Sequence, residues 1–484
     1  MTTPSAEPRP AGLPRSLHGL LVVAGLLAIA GLVFHNMDLL GDGFWYVASG
    51  RWLLDHRALP HADPFSFASV KERWIVGMPG ACLLFALVAD HLGLRALLVM
   101  GTIVEAAAVA LLWLRAARTP FGRLVLLLLA LFFVQVDATD LSVRGQVFGD
   151  LGFVLLLGML ARLRDGQRVH PLLVVLGAAV WANLHYSFLL LFFVPLGAAA
   201  LLLLEPEASR PRLRPFVAVV FWAFLGSLIN PYGWRYLAFS FHIIFTPIAD
   251  DFAFFRSPDF HDPAWLVAPA CGVAILVLRG RYGESRCAMP EQALLLVFVA
   301  AACNSLRWGT LLVAVEMGLL GPMLDRYQPL GVRQLSFVAA VASGVCAVLG
   351  VRWISRGADP LQNVPVAAAE VARAAQRAQY AAGRSMDQVV NPLHWGGYLA
   401  YEWNGDPKYF HDGRDQTVLF DNGVYEDAGA LWKGTPRFAE VLDVYEAGVV
   451  LWERGSRLDL LLRGAPGWKL AHEDAIAVVH VRTK

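Results

Sequence analysis

From the N-terminus to about Trp353, apolar runs of membrane-spanning length alternate with short polar loops, and after Arg356 such runs stop. A helix crossing the hydrocarbon core needs about 20 mostly apolar residues, because lipid offers its backbone no partner. The runs 18–37, 94–114, 121–136, 147–162, 170–186, 187–204, 214–230, 264–280, 290–304, 307–324 and 335–354 fit this pattern and predict eleven transmembrane helices. A twelfth apolar stretch, 74–92, is short and interrupted by Gly77, Pro79, Gly80, Asp90 and His91, so it predicts a helix lying on the membrane surface. The first run has Arg15 before it but no small-x-small cleavage signal before His35, which predicts a retained anchor.

Beyond Arg356 the periodicity changes. Residues 365–380 predict an amphipathic helix. VVNPLHWGGYLAYEW predicts a short strand, a turn and a helix, and KYFHDGRD a strand ending at Asp412-Gly413-Arg414. RFAEVLDVYEAGVVLWE predicts a helix running into a strand, and AIAVVHVR a closing strand. This alternation predicts a small α/β domain over 357–484, behind a transmembrane domain over 1–356 whose first outer loop spans 38–93. The fold class expected is therefore a polytopic α-helical membrane protein with a C-terminal α/β extracytoplasmic domain.

Composition sharpens this. Only 16% of the 484 residues are charged and 57% are hydrophobic, against about 25% charged in a soluble domain. A water-soluble surface over most of the chain is excluded. The formal charge of +1 gives no reason to expect a nucleic-acid partner, and five cysteines without CxxC spacing imply neither a disulfide framework nor a zinc site. Arginine placement sets the expected orientation, because loops rich in Arg and Lys stay cytoplasmic. With the N-terminus inside and 74–92 not crossing, one side collects Arg115, Arg118, Arg123, Arg162, Arg164, Arg168, Arg210, Arg212, Arg214, Arg279, Arg281, Arg286, Arg326 and Arg333. The loops on the other side, after the first, carry only Arg144, Arg235, Arg256 and Arg307, and the tail lies on that side.

The unusual polar residues gather on the expected outer face. In the first outer loop, Asp42 stands between two glycines just before a predicted interfacial helix whose Trp45 and Trp52 would lie at headgroup level. An N-cap and a catalytic carboxylate fit Asp42 equally. The next outer loop, VDATDLSVRGQ, holds Asp137, Asp140, Arg144 and Gln146, and an Asp140–Arg144 pair at i, i+4 is the plain structural alternative to catalysis there. WANLH carries Asn183 and His185, of which the histidine is more often a satisfied structural group than a ligand. INPYG, from Ile229 to Gly233, predicts a turn. The loop 235–263 is long enough for a lid or substrate groove, with a solvated linker as the alternative. In the tail, turn and capping roles outweigh substrate contact for His394, Trp395, Asp412 and Arg414.

GDGFWYVASGRWLLDHRALPHADPFSF, RGQVF, WANLH, INPYG, WGGYLAYEW and HDGRD, in this order from about residue 18 to 480, resemble a group of bacterial polytopic proteins similar to the GT-C glycosyltransferases. That superfamily includes protein O-mannosyltransferases and aminoarabinose transferases. The resemblance implies an enzyme of the bacterial inner membrane that moves a sugar, with inversion, from a polyprenyl-phosphate donor to an extracytoplasmic glycan, lipid or protein acceptor. It implies an essential acidic residue in the first outer loop, matching Asp42, and a second in the next, matching Asp137 or Asp140. It also implies surface helices in the first outer loop and a divalent cation, Mg or Mn, held by Asp42. Arg144, Asp63, Asn183, His185, Arg256 and Arg307 are the candidate substrate-binding residues, the arginines for the charge developing on a leaving phosphate. Asp42 is followed by Gly43 and Phe44, where many GT-C enzymes show Asp-Glu or Asp-x-Asp. A transporter or flippase for lipid-linked sugars and a non-catalytic envelope assembly protein are the two alternatives. The first would need charged or broken spans, which look scarce, and the second predicts that the loop charges are replaceable.

Overall fold

A computed structural model describes residues 14–69, 74–136, 141–203, 213–245, 257–259, 261, 263–281, 289–326, 329–414 and 423–483. Four helices among them are long and apolar enough to cross a membrane: α1 (Arg15–Asn36), α4 (Leu94–Ala116), α6 (Gln146–Arg164) and α14 (Val332–Arg356). The other predicted spans form shorter apolar helices. These are α5 (Pro120–Val136), α7 (Pro171–Leu184), α8 (Leu190–Leu202), α9 (Leu213–Ser227), α11 (Val267–Arg281), α12 (Met289–Asn304) and α13 (Gly309–Arg326). The chain is a multi-pass helical membrane protein on these grounds, with the long helices as its secure crossings.

Small residues let the bundle close tightly. A Cβ on Gly31 of α1 would stand 2.6 Å from the Gly350 carbonyl oxygen of α14, so the first and last spans run backbone against backbone. Gly321 of α13 meets the Ala116 carbonyl at the end of α4 in the same way, at 2.0 Å. Three carboxylates are buried inside the bundle, Glu105 on α4, Asp150 on α6 and Glu316 on α13, so charged groups within spans are less scarce than expected.

The segment expected to be the first outer loop, 38–93, contains two helices, α2 (Gly43–His56) and α3 (Pro79–Leu92). Pro79 opens α3, where a missing N–H costs nothing. At 14 residues α3 falls short of a span, and it packs against α2, α4 and α7. The two loop helices touch closely, since a Cβ on Gly50 would lie 2.0 Å from the Cys82 carbonyl. Trp45 is 5% exposed, which corrects its expected place among lipid headgroups: the tail domain covers this face of α2 instead. A further helix, α10 (Trp234–Phe245), occupies part of the predicted 235–263 loop. Tyr236 on it accepts a hydrogen bond from the Met78 N–H at 3.1 Å, and Tyr232 just before it one from the Val76 N–H at 3.0 Å, fixing the chain ahead of α3.

The tail comprises α15 (Val366–Ala381), β1 (Gln388–Val390), α16 (Leu393–Trp403), α17 (Val424–Lys433), α18 (Phe438–Val444), β2 (Ala447–Glu453), α19 (Arg457–Gly464), β3 (Trp468–Glu473) and β4 (Ala477–Arg482). Its sheet has the order β1-β2-β4-β3, with β1 parallel to β2 and the other pairs antiparallel. Strand β2 is buried almost throughout, as befits a central strand covered on both faces, while β3 alternates at the edge. Among the described residues of KYFHDGRD, 408–414, there is no strand. Tyr409 makes isolated bridges to Val389 and to Ser66 of the first outer loop, because that segment turns toward the loop rather than extending the sheet.

Candidate active site

Asp42 closes the N-terminus of α2 but does not cap it: its side chain accepts no backbone N–H of the helix. Its Oδ1 takes a hydrogen bond from the Trp45 indole Nε1 at 2.9 Å. The other oxygen, Oδ2, lies 4.0 Å from Arg144 Nη1. This ion pair is too long for a direct hydrogen bond, and an intervening oxygen can bridge such a gap.

Two local devices bring Arg144 to Asp42. Residues 38 and 142 form a parallel bridge, in which Val143 N–H donates to the Asp38 carbonyl at 2.8 Å and Asp38 N–H to the Leu141 carbonyl at 3.3 Å. The exit from α1 is thereby joined to the entry of α6. Gly145 then presses the loop inward, where a Cβ would stand 2.8 Å from both the Tyr46 hydroxyl and the Met78 sulfur. The N-termini of α2 and α6 both end at this point, with Gly43 against the Val143 carbonyl, so two positive helix ends face the same space.

The tail supplies the third wall. A Cβ on Gly413 would lie 2.4 Å from Asp42 Oδ1, and one on Gly397 would lie 2.5 Å from the Gly41 carbonyl. The HDGR turn therefore sits directly on the carboxylate. Asp42 is recessed, with 29% of its side chain accessible, and its pKa is raised. Burial is the main cause; Arg144 and the Trp45 hydrogen bond oppose it, and the nearby Asp412 charge adds to it.

Asp63 occupies a different place from the one expected of a substrate ligand. It forms a buried ion pair with Arg414, Oδ1 to Nη1 at 2.9 Å, with both side chains almost wholly enclosed. It also accepts the N–H groups of Phe65 and Ser66. Arg414 pairs at the same time with Asp412 and stacks over Phe65 and Trp74 at 4.9 and 4.7 Å. Phe67 N–H donates to the Tyr409 carbonyl and Tyr409 N–H to the Phe65 carbonyl, so the loop and the tail also pair through their backbones. Phe44 packs on Tyr398 and Tyr401 at 5.4 and 5.5 Å, and Arg51 pairs with Asp90 at 2.7 Å while lying over Tyr401.

Other candidates lie farther from Asp42 in role. Asn183 donates both amide hydrogens to backbone carbonyls, of Ala179 at 2.8 Å and of Ile229 at 2.7 Å, and so ties α7 to the INPYG turn. His185 is buried. Its Nδ1 accepts the Ser187 N–H at 3.2 Å, which puts the ring proton on Nε2. Asp137, Asp140 and Arg256 lie outside the described residues, as does the side chain of Arg307. The sequence placed Trp45 among lipid headgroups and Gly413 at a strand end, and gave neither a place beside Asp42. The i, i+3 spacing of Asp42 and Trp45 is a local signal for the first, whereas no local pattern marks the second.

The described residues do not compose a site for a divalent cation. Among the described residues no three His, Cys, Asp or Glu side chains converge on a metal position, and Asp42 faces the Arg144 guanidinium.

No protein-family model and no curated protein matches this sequence. Solved structures do. The chain is similar to the oligosaccharyltransferase of Archaeoglobus fulgidus in its apo form, with a TM-score of 0.55 and 12% identity over 91% of this chain and 70% of that one. It is equally similar to the archaeal oligosaccharyltransferase AglB from the same organism in complex with an inhibitory peptide and a dolichol-phosphate, with a TM-score of 0.56, 12% identity, and coverage of 91% and 69%. The GT-C-like fold implied by the sequence motifs is the fold of this chain.

Proposed function

We propose that this protein is a membrane glycosyltransferase that moves a sugar from a polyprenyl-phosphate-linked donor to an acceptor at the Asp42 end of its bundle. The observation that carries this reading is the pairing of a recessed carboxylate, Asp42, with Arg144 where two helix N-termini meet, on a GT-C-like fold. A structural neighbour that binds a dolichol-phosphate and an inhibitory peptide supports a lipid phosphate on one side of the reaction and a separate acceptor on the other.

In this reading Asp42 is the general base. The Trp45 indole fixes Oδ1, and the carboxylate takes the proton of the acceptor nucleophile as that atom bonds to the anomeric carbon. The bond from that carbon to the phosphate oxygen breaks, and its electron pair leaves on the lipid phosphate. Arg144 and the amides opening α2 and α6 receive the growing negative charge. A phosphate leaves without protonation, so one carboxylate suffices. The nucleophile attacks opposite the leaving group, which inverts the configuration. Extracytoplasmic placement of this end follows from the arginine distribution, and eleven crossings follow if the shorter apolar helices also span.

The direct test is transfer from a synthetic polyprenyl-phosphate sugar in proteoliposomes, followed for wild type and for Asp42→Asn. Full transfer by the variant overturns the assignment.

The buried carboxylates favour one alternative, movement of a lipid-linked sugar across the membrane. Glu105 and Glu316 lie near the middles of α4 and α13, where an ionisable group is costly and marks a polar pathway in transporters. Loss of donor flipping in Glu316→Gln, with transfer of pre-flipped donor intact, would support that reading over catalysis alone.

A further inference from the structure

At the end of the bundle opposite Asp42 lies a separate cavity. Helix α6 begins beside Arg144 and ends at Arg164, about 27 Å farther along its axis at 1.5 Å per residue. Around that far end, α4, α6, α8, α12 and α13 line an open cavity of about 1150 Å³. Pockets for small organic ligands run to roughly 300–1,000 Å³, so this one exceeds the usual range. Its wall is mostly apolar. Gly197 on α8 and Gly318 on α13 both line it, and a Cβ on either would meet nothing within 4 Å.

The mouth is polar, and its charges are not evenly engaged. Glu291 is held by Arg164 and Arg279. Asp325 accepts the backbone N–H groups of Arg118 and Thr119, at 2.8 Å each, together with the Thr119 hydroxyl. Asp165 pairs with Arg164 at 3.2 Å. Glu291 and Asp165 are thus paired with arginines, and Asp325 is held by hydrogen bonds from the Arg118 and Thr119 backbone. The Arg115 and Arg118 side chains line the same mouth, are exposed, and make no hydrogen bond or ion pair among the described residues. Arg115 Nη1 hangs over Gly158, within 2.8 Å of where a Cβ would be. The result is an apolar volume with two guanidinium groups at its lip that pair with no acid among the described residues, in a membrane-spanning protein.

We propose that this cavity is a binding site for an anionic phospholipid of the leaflet opposite Asp42. Its acyl chains fill the space between α6, α8, α12 and α13, and its phosphate meets Arg115 and Arg118. The site is separate from the Asp42 centre and does not depend on the function assigned there.

The test uses the full-length protein in nanodiscs of phosphatidylcholine with and without phosphatidylglycerol, then native mass spectrometry of lipids retained after release into detergent. Wild type is expected to retain phosphatidylglycerol over phosphatidylcholine by about tenfold. Arg115→Gln with Arg118→Gln removes that preference without changing the melting temperature, since both side chains are exposed. Gly197→Phe with Gly318→Phe fills the cavity and removes retention of either lipid. If the glycine pair does not fold, the arginine pair decides alone. Equal retention of the two lipids by wild type, or an unchanged preference in the arginine variant, overturns the proposal. Displacement of the phospholipid by an equal amount of polyprenyl phosphate also overturns it, because the cavity would then belong to the donor.

Discussion

Asp42 and Arg144 stand 4.0 Å apart although they belong to different loops between helices, one leaving α1 and the other entering α6. The backbone bridge at Asp38 and Ser142 holds them there, so the pair is built into the connection between the loops rather than left to side-chain flexibility. Under the proposed chemistry the two residues divide the work. Asp42→Asn should lower the turnover of transfer by about 10²–10⁴-fold, the usual worth of a general base. Arg144→Gln should lower turnover more than it raises the Michaelis constant, because its charge matters most when the phosphate is leaving. Steady-state kinetics with a soluble acceptor analogue separates these effects.

The pH dependence carries a sign. Asp42 works as a base only when deprotonated, and its pKa is raised by burial. The acid limb of the rate profile should therefore sit above the ordinary carboxylate range of about 4. Arg144 and Trp45 both pull that pKa down, so Arg144→Gln and Trp45→Phe should each move the limb to higher pH. A limb that stays fixed in both variants would assign the titration to another group.

Gly413→Ala tests the contact between tail and carboxylate. The new methyl group would need the space of Asp42 Oδ1, 2.4 Å away, so the carboxylate must turn off its Trp45 hydrogen bond. Misplacing a catalytic group by about an ångström can cost 10²-fold in rate, and a loss of that order is expected with the melting temperature nearly unchanged. Gly464→Ala, where nothing lies within 4 Å, is the matched control and should behave as wild type.

The Asp63–Arg414 pair should govern docking of the tail. Removing one partner of a buried ion pair typically costs about 3–5 kcal/mol, because the other charge is left enclosed. Asp63→Ala is expected to release the tail to limited proteolysis, while Asp63→Leu with Arg414→Met should recover much of the loss. Asp412 adds a pH window. Burial alone would raise its pKa, but Arg414, reinforced by the Tyr409 hydroxyl, outweighs burial and holds the carboxyl below the usual range. A depressed folded pKa contributes stability that is present above the unfolded value and lost as pH falls through the folded one. Proteolytic protection of the tail should thus persist at neutral pH and fail only below about pH 4.

The helices were readable because apolar run length reports directly on burial in lipid: each predicted span has its helix, from Arg15–Asn36 to Val332–Arg356. The polar cluster at Asp42 and Arg144 was readable because charges beside apolar runs are rare and stand out. The character of α2 was not. Trp45 at helical spacing looks the same whether lipid or protein covers it, and its cover proved to be α16, far away in sequence. Asp63 looked like a ligand because nothing near it in sequence announces Arg414. The KYFHDGRD segment has strand composition, but its hydrogen bonds go to residues 65–67 instead of to a neighbouring strand. Long-range partners decide each of these cases, and single-sequence patterns report only local ones.

The ion pair between Asp63 and Arg414 joins residues 351 positions apart. A ribosome making this chain inserts every spanning helix before Arg414 emerges, and until then Asp42 has no lid. The membrane part is therefore in place before its cover arrives, so the contacts of Asp63 with Arg414 and of Gly413 with Asp42 form only after the spans have inserted.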